Sequence, residues 1–259
     1  MKKNKPYIGR NYRVEVLLYN LVDKDIQSML LPLNLMQLIH PKYCIRDDFI
    51  TPNNLMINCL SMCGTVLCIL LLLIRIYTAP VFIKNSFLYY SLVYDVFAYT
   101  VGFIVNFIVN VVQTNKNVTF VLTIQEIHRV LNNKITMKRF IIGNWFAAIM
   151  IFSFYFIIVM MLVVYSPVCV IHVEIAFIFL IAFDANIVYA IRLIIFLRMK
   201  VVLWNTQLMK SQSGYNDVAY FNKMYQTYVN ILECYNMYKI TFQHLVRLFI
   251  LIFCFCYML

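Results

Sequence analysis

Four long apolar stretches, and the start of a fifth, run through this chain from Leu55 onward, and their spacing leaves few folds open to it. A hydrocarbon layer about 30 Å thick is crossed by roughly 20 apolar residues at about 1.5 Å of helical rise each. Leu55 to Ile74 meets that length without a charge. Ser86 to Val112 does so with Asp95 as its one charged residue, and Phe140 to Val164 again with none. Val168 to Leu197 is long enough to cross with some tilt, although it carries His172, Glu174, Asp184 and Arg192. The last run, Leu248 to Leu259, is too short for a full span unless Leu245 to Arg247 extend it. With 63% apolar residues, 13% charged residues and a mean hydropathy of +0.78, a soluble globular fold is a poor hypothesis.

A net charge of +11 would point a soluble domain toward nucleic acid, but the charges are distributed for a membrane instead. Of the 22 Lys and Arg, eight precede the first span, five lie between the second and third, and six follow the fourth. Two, Arg75 and Lys84, lie between the first and second, none lies between the third and fourth, and Arg192 lies within the fourth. An N-terminus in the cytoplasm therefore puts nineteen on the inner side against two outside, as basic residues near span ends favour. Lys138 and Arg139, against the uncharged Tyr165 to Pro167, are the clearest of these. No nucleic-acid partner is expected; the bilayer is.

The expected architecture is an all-α, polytopic transmembrane helical bundle with a cytoplasmic N-terminus, inverted relative to G-protein-coupled receptors. Residues 1–54 form a cytoplasmic segment, 55–197 four spans, 198–244 a cytoplasmic helical hairpin, and 245–259 the start of a fifth span. Within the first segment, Met29 to Ile39 reads as a short interfacial or re-entrant helix with Pro32 near its start, or equally as an amphipathic piece packed on the inner ends of the spans. The sequon Asn117-Val-Thr119 faces the cytoplasm in this topology and is silent. Cys59, Cys63 and Cys68 read as small core residues, and no cysteine has metal-ligand or disulfide-framework spacing.

Beyond the fourth span, Ile194, Leu197, Val201, Trp204 and Leu208 continue a 3–4 spacing, so the helix should project below the membrane. Ser211 to Gly214, with Asn216 and Asp217, make a turn. From Met224 onward, Tyr228, Ile231, Tyr235, Tyr238 and Phe242 keep a 4–3 rhythm that reads as a single seam, either ordinary core or a contact between subunits.

Signatures of catalysis are absent: no Gly-x-Ser-x-Gly, His-Glu-x-x-His, phosphate-binding Gly-rich loop or Cys-x-x-Cys pair occurs, so neither an enzyme nor a cofactor is expected. The remaining chemistry is polar groups inside spans, where a charge costs at least about 2.5 to 3.5 kcal/mol and tends to face a cavity or a partner. Tyr90, Tyr94, Asp95 and Tyr99 fall in the outer half of the second span, and Tyr155 reaches similar depth on the third. His172 and Glu174 fall near the outer surface and Asp184 near mid-depth on the fourth. Together they outline an outer pocket for a small amphipathic or cationic organic ligand, held by hydrogen bonds and cation–π contact. The structural alternative is that Asp95, Glu174 and Asp184 only hydrogen-bond to neighbouring helices.

Leu30-Leu-Pro-Leu-Asn-Leu-Met-Gln37, Pro41-Lys-Tyr43 and Asp48-Phe-Ile-Thr-Pro-Asn53 resemble the opening of insect gustatory receptors, particularly those of moths and butterflies. Phe183 to Arg192, Leu203-Trp-Asn205 and Glu233-Cys-Tyr-Asn236 resemble the same family's fourth span and the stretch after it. The resemblance implies a seven-span, N-inside subunit of a homo- or hetero-tetrameric, ligand-gated, non-selective cation channel. It also implies a small organic tastant in the outer half of each subunit and a place in the plasma membrane of a gustatory neuron. The family's Thr-Tyr and Gln-Phe signature in its last span is not in this sequence, so the chain is expected to be C-terminally incomplete and to lack the pore-forming spans. A G-protein-coupled chemoreceptor and a non-conducting truncated or decoy subunit are the alternatives.

Overall fold

The computed structural model describes residues 20–37, 39–78, 86–165, 171–211 and 218–258. Seven α-helices account for most of them: α1 (Lys24–Leu35), α2 (Leu55–Thr78), α3 (Ser86–Phe107), α4 (Thr114–Val130), α5 (Lys134–Tyr165), α6 (Ile171–Ser211) and α7 (Val218–Met258). A short antiparallel hairpin, β1 (Cys44–Arg46) and β2 (Phe49–Thr51), separates α1 from α2, with Ile45 opposite Ile50. Asp47 and Asp48 turn it at φ of 53° and 65°. A two-residue hairpin needs positive φ at both turn positions, and Asp tolerates it better than most residues.

α2, the stretch from Leu92 to Val112, and α5 are long and apolar enough to cross a membrane. Their outer faces show why: Leu60 and Leu70 on α2, and Ile142, Phe146 and Phe156 on α5, are exposed, and only 17% of the most apolar window of α5 is buried. So much contiguous apolar surface is foreign to a water-facing protein and ordinary for one whose surroundings are lipid. Cys59 and Cys63 share this exposed side of α2, which corrects their assignment to the core; Cys68 alone of the three is buried.

The N-terminal helix begins at Lys24, five residues before the expected start, and Pro32 sits well inside it. Its buried face, Ile26, Met29, Leu30 and Leu33, packs against α5 and α6, which makes it an integral part of the bundle. α4 occupies what reads as a loop between spans. Phe120, Ile124, Ile127 and Leu131 recur at 4–3–4 spacing, all buried, and α4 packs along α7. Asn117, the sequon residue, is buried here and donates from Nδ2 to the carbonyls of Val109 (3.0 Å) and Asn110 (3.2 Å). Those carbonyls belong to a π-helical segment, Ile108–Val112, that closes α3. The wider turn disturbs the regular ladder, and Asn117 satisfies two of its acceptors.

α6 runs unbroken from Ile171 to Ser211 and α7 from Val218 to Met258; the expected turn at 212–217 lies outside the described residues. The single seam expected along α7 divides in two. Met224, Thr227, Ile231, Cys234 and Phe242 are buried, whereas Tyr228 and Tyr235 are exposed and Tyr238 lies between. Small Thr227 and Cys234, which the 4–3 reading passed over, face inward and let α7 lie close to its neighbours. The tyrosines are left on a second stripe with Phe221, Tyr225 and Leu232. Trp204 joins the two long helices within the chain: its Nε1 donates to the Met224 carbonyl (2.9 Å), and its ring lies 5.1 Å from that of Tyr228.

Candidate functional site

Of the residues expected to form an outer pocket, Tyr99, Tyr155 and Asp184 come together. Tyr155 is buried against Leu92 and Val96 of α3 and Ile181 of α6, with Tyr99 packed beside this cluster. Its hydroxyl donates to Asp184 Oδ2 at 2.5 Å, a charge-assisted length when the acceptor is ionised. Beside the pair a cavity of about 690 Å³ is lined by Phe152, Ser153, Tyr155, Phe156 and Ile157 of α5 and by Ile181 of α6. Its walls are almost wholly apolar and it is broadly open. Such a site can take a flat apolar molecule and offer it the hydroxyls of Ser153 and Tyr155, with Asp184 behind the latter.

Tyr90 lies apart, 70% exposed and edge-on to Tyr89 at 6.2 Å. Tyr94 is half-buried. The side chains of Asp95, His172 and Glu174 lie outside the described residues. Among the described residues no group of three or more His, Cys, Asp or Glu is arranged to hold a metal ion.

A second polar site, not foreseen in the sequence, lies where the N-terminal segment enters the bundle. Lys42 is buried to 2% exposure, and its ammonium group donates to Asn110 Oδ1 and to Asn186 Oδ1 (2.7 Å). Gln37 closes the ring: its Nε2 donates to Asn186 Oδ1 (3.0 Å) and its Oε1 accepts from Asn110 Nδ2 (3.0 Å). The rings of Tyr189 and Phe242 lie 4.6 and 5.2 Å from Nζ. Burial holds the Lys42 pKa well below its ordinary value, since amide dipoles and ring faces replace water only in part. Next to it, His40 is held down to about 4 by burial and then by the charge of Lys42.

A third cluster fastens α1 to α4. Arg129 donates from Nε (2.9 Å) and Nη2 (2.8 Å) to the two oxygens of Asp23, and this hydrogen-bonded guanidinium keeps Asp23 below the usual carboxylate range. Gln125 takes the Asp23 amide proton (2.8 Å) and donates to the Leu21 carbonyl (2.7 Å). Behind it, Lys200 donates to the Leu131 carbonyl (2.7 Å) and to His128 Nδ1 (2.9 Å), and burial lowers its pKa to about 8.

No protein-family model matches the sequence, no curated protein does, and no solved structure matches the fold.

Proposed function

We propose that this chain is a subunit of a multi-span chemoreceptor of the insect gustatory type, set in the plasma membrane with its N-terminus in the cytoplasm. It takes a small organic tastant at Tyr99, Tyr155 and Asp184 and assembles with further subunits, of its own or a related kind, as part of a ligand-gated cation channel. The observation that carries the reading is the Tyr155–Asp184 pair at the edge of an apolar cavity, beside a helix, α5, that is long and apolar enough to cross a membrane. Ionisable groups in that setting face a cavity, a partner or one another, and these do so at the edge of a cavity. The weave of basic residues and the resemblance of residues 30–53 and 183–236 to gustatory receptors support the same reading.

The test expresses the longest transcript that contains these residues in insect cells, with calcium imaging against a panel of bitter alkaloids and sugars. Tyr155→Phe and Asp184→Asn should each move the half-maximal concentration about tenfold or more, the effect of losing one hydrogen bond to a charged group. Unchanged dose–response curves with normal surface expression would remove the pair from the ligand site. An N-terminal epitope tag labelled in intact cells would overturn the cytoplasmic N-terminus. A second reading, a non-conducting partner subunit, is favoured by the exposed stripe of Phe221, Tyr225, Tyr228, Leu232 and Tyr235 on α7, whose 4–3 spacing suits a helix of another subunit. Co-purification with a conducting receptor, without a response of its own, would select it.

A further inference from the structure

A second cavity, of about 470 Å³, lies between the first turn of α5 and the C-terminal half of α6. Asn133, Thr136 and Met137 line it from one side, and Arg198, Met199 and Leu203 from the other. Both helices change character at this level. α5 passes from Lys134, Lys138 and Arg139 to an uncharged run beginning at Phe140, and α6 leaves its apolar run at Leu197 for Arg198 and Lys200. On the membrane reading proposed above, on which this inference rests, that level is the boundary between the inner leaflet's acyl chains and its headgroups.

The groups around the cavity are selective for an anion attached to something apolar. No acidic residue lines it. Arg198 is exposed and makes no ion pair among the described residues. Asn133 uses its Oδ1 to accept the Thr136 amide proton (3.2 Å), which turns the start of α5, with the positive end of its dipole, toward the same space. Lys200 contributes its aliphatic stem, because its ammonium group is turned inward to Leu131 and His128. Above and below, Ile191, Ile195 and Val202 are exposed at i, i+4 and i+11, and Arg198 falls at i+7 on the same face of α6. A stripe of exposed apolar side chains thus carries a guanidinium at the rim of a cavity, between Ile195 and Val202.

We propose that this cavity is a binding site for an anionic glycerophospholipid of the inner leaflet. The lipid's phosphate is held by Arg198, the Asn133 amide and the start of α5, and one acyl chain runs along Ile195 and Ile191. Basic pockets between helices on the cytoplasmic side are suited to such headgroups by charge alone. Here the apolar stripe adds the distinction between a lipid and a free phosphate.

The experiment is native mass spectrometry of the full chain, purified in mild detergent and offered phosphatidylglycerol and phosphatidylcholine in equal amounts. Phosphatidylglycerol should be retained about fivefold over phosphatidylcholine, the discrimination one Arg supplies near an anionic surface. Arg198→Gln should abolish that preference. Met199→Trp, which fills the cavity and keeps every charge, should abolish retention of both lipids, and Lys138→Gln, outside the cavity, should change nothing. Equal retention of the two lipids, an unaffected Arg198→Gln variant, or an equal loss in Lys138→Gln would overturn the site. Displacement of the lipid by excess inorganic phosphate would reassign it to the free anion. Detergent phase partitioning separates failure here from failure of the membrane reading: a chain that stays in the aqueous phase refutes the membrane, whereas a detergent-bound chain without lipid preference refutes only this site.

Discussion

Lowering the pH should destabilise the protein through His40, and the size of the effect follows from its surroundings. His40 is fully buried, between the rings of Phe103 and Phe107. Thr65 sends its own proton to the Ser61 carbonyl (2.8 Å), so its Oγ1 accepts from His40 Nε2, also at 2.8 Å. The second ring nitrogen, Nδ1, then carries no proton and has no hydrogen-bond partner among the described residues. Protonating the ring would place a donor where nothing accepts it, beside the charge of Lys42, and the pKa accordingly falls from 6.5 to about 4. Above pH 6.5 the ring is neutral in both folded and unfolded chains and the shift costs nothing. Between pH 6.5 and 4 the unfolded chain binds a proton that the folded chain refuses, so stability falls as the pH falls. The loss amounts to about 2 kcal/mol at pH 5 and about 3 kcal/mol below pH 4. For a chain of this size that is a melting temperature lower by roughly 4–8 °C at pH 5 than at pH 7.5. The assay is differential scanning fluorimetry in detergent at fixed ionic strength. His128, also held below its ordinary value by burial and by Lys200 against the pull of Asp25, adds a slope of the same sign. The decisive quantity is therefore the difference between wild type and His40→Gln, which keeps a donor for Thr65 and cannot titrate. An identical pH slope in the two proteins would refute the reasoning.

Gly143→Ala should destabilise by about 1–3 kcal/mol in thermal unfolding. Its Cβ would stand 2.6 Å from Arg192 Nη2, and that guanidinium is already fixed by Asn144 Oδ1 (2.6 Å) and the Phe140 carbonyl (3.1 Å). On α7 the two stripes should respond differently. Ile231→Ala removes a core side chain and should cost about 2–5 kcal/mol, whereas Tyr235→Ser should change stability by less than about 0.5 kcal/mol. In light scattering, Tyr235→Ser should lower the mass of any assembly formed through the exposed stripe. Arg129→Gln should speed hydrogen exchange in the first turn of α1 at pH 7. Wild type should approach the same rate only as the pH falls through the depressed pKa of Asp23, since the carboxylate is what the pair holds.

The helices that suit a membrane were legible because length and charge are properties of contiguous sequence. Helix rotation was less so. α5 is apolar on all sides, and nothing local said that Tyr155 would turn inward while Phe154 and Phe156 turned out. Counting rise put Tyr155 in the outer half and Asp184 near mid-depth, but not the bond between them, and the exposure of Tyr90 depended on neighbours that no local pattern names. α4 was hidden by its opening residues: Thr114, Asn115, Lys116, Asn117 and Thr119 read as a polar loop, although the spacing of Phe120, Ile124, Ile127 and Leu131 behind them was available.

The ring around Lys42 was the least legible, because Gln37, Lys42, Asn110 and Asn186 are polar singletons that meet only through the tertiary fold. Lys42 and Lys200 were both counted as basic residues on the inner side, yet each buries its ammonium group among protein acceptors rather than facing water or headgroups. Burying a Lys requires that its charge be met by dipoles or given up, so neither residue acts as a free charge near the membrane surface. Removing both from the nineteen leaves seventeen against two. Among the inner-side residues near the ends of the second, third and fourth apolar runs, Lys134, Lys138, Arg139 and Arg198 are exposed. Charges near span ends weigh heavily in orienting a span, so the asymmetry behind the proposed cytoplasmic N-terminus loses little with the two buried lysines.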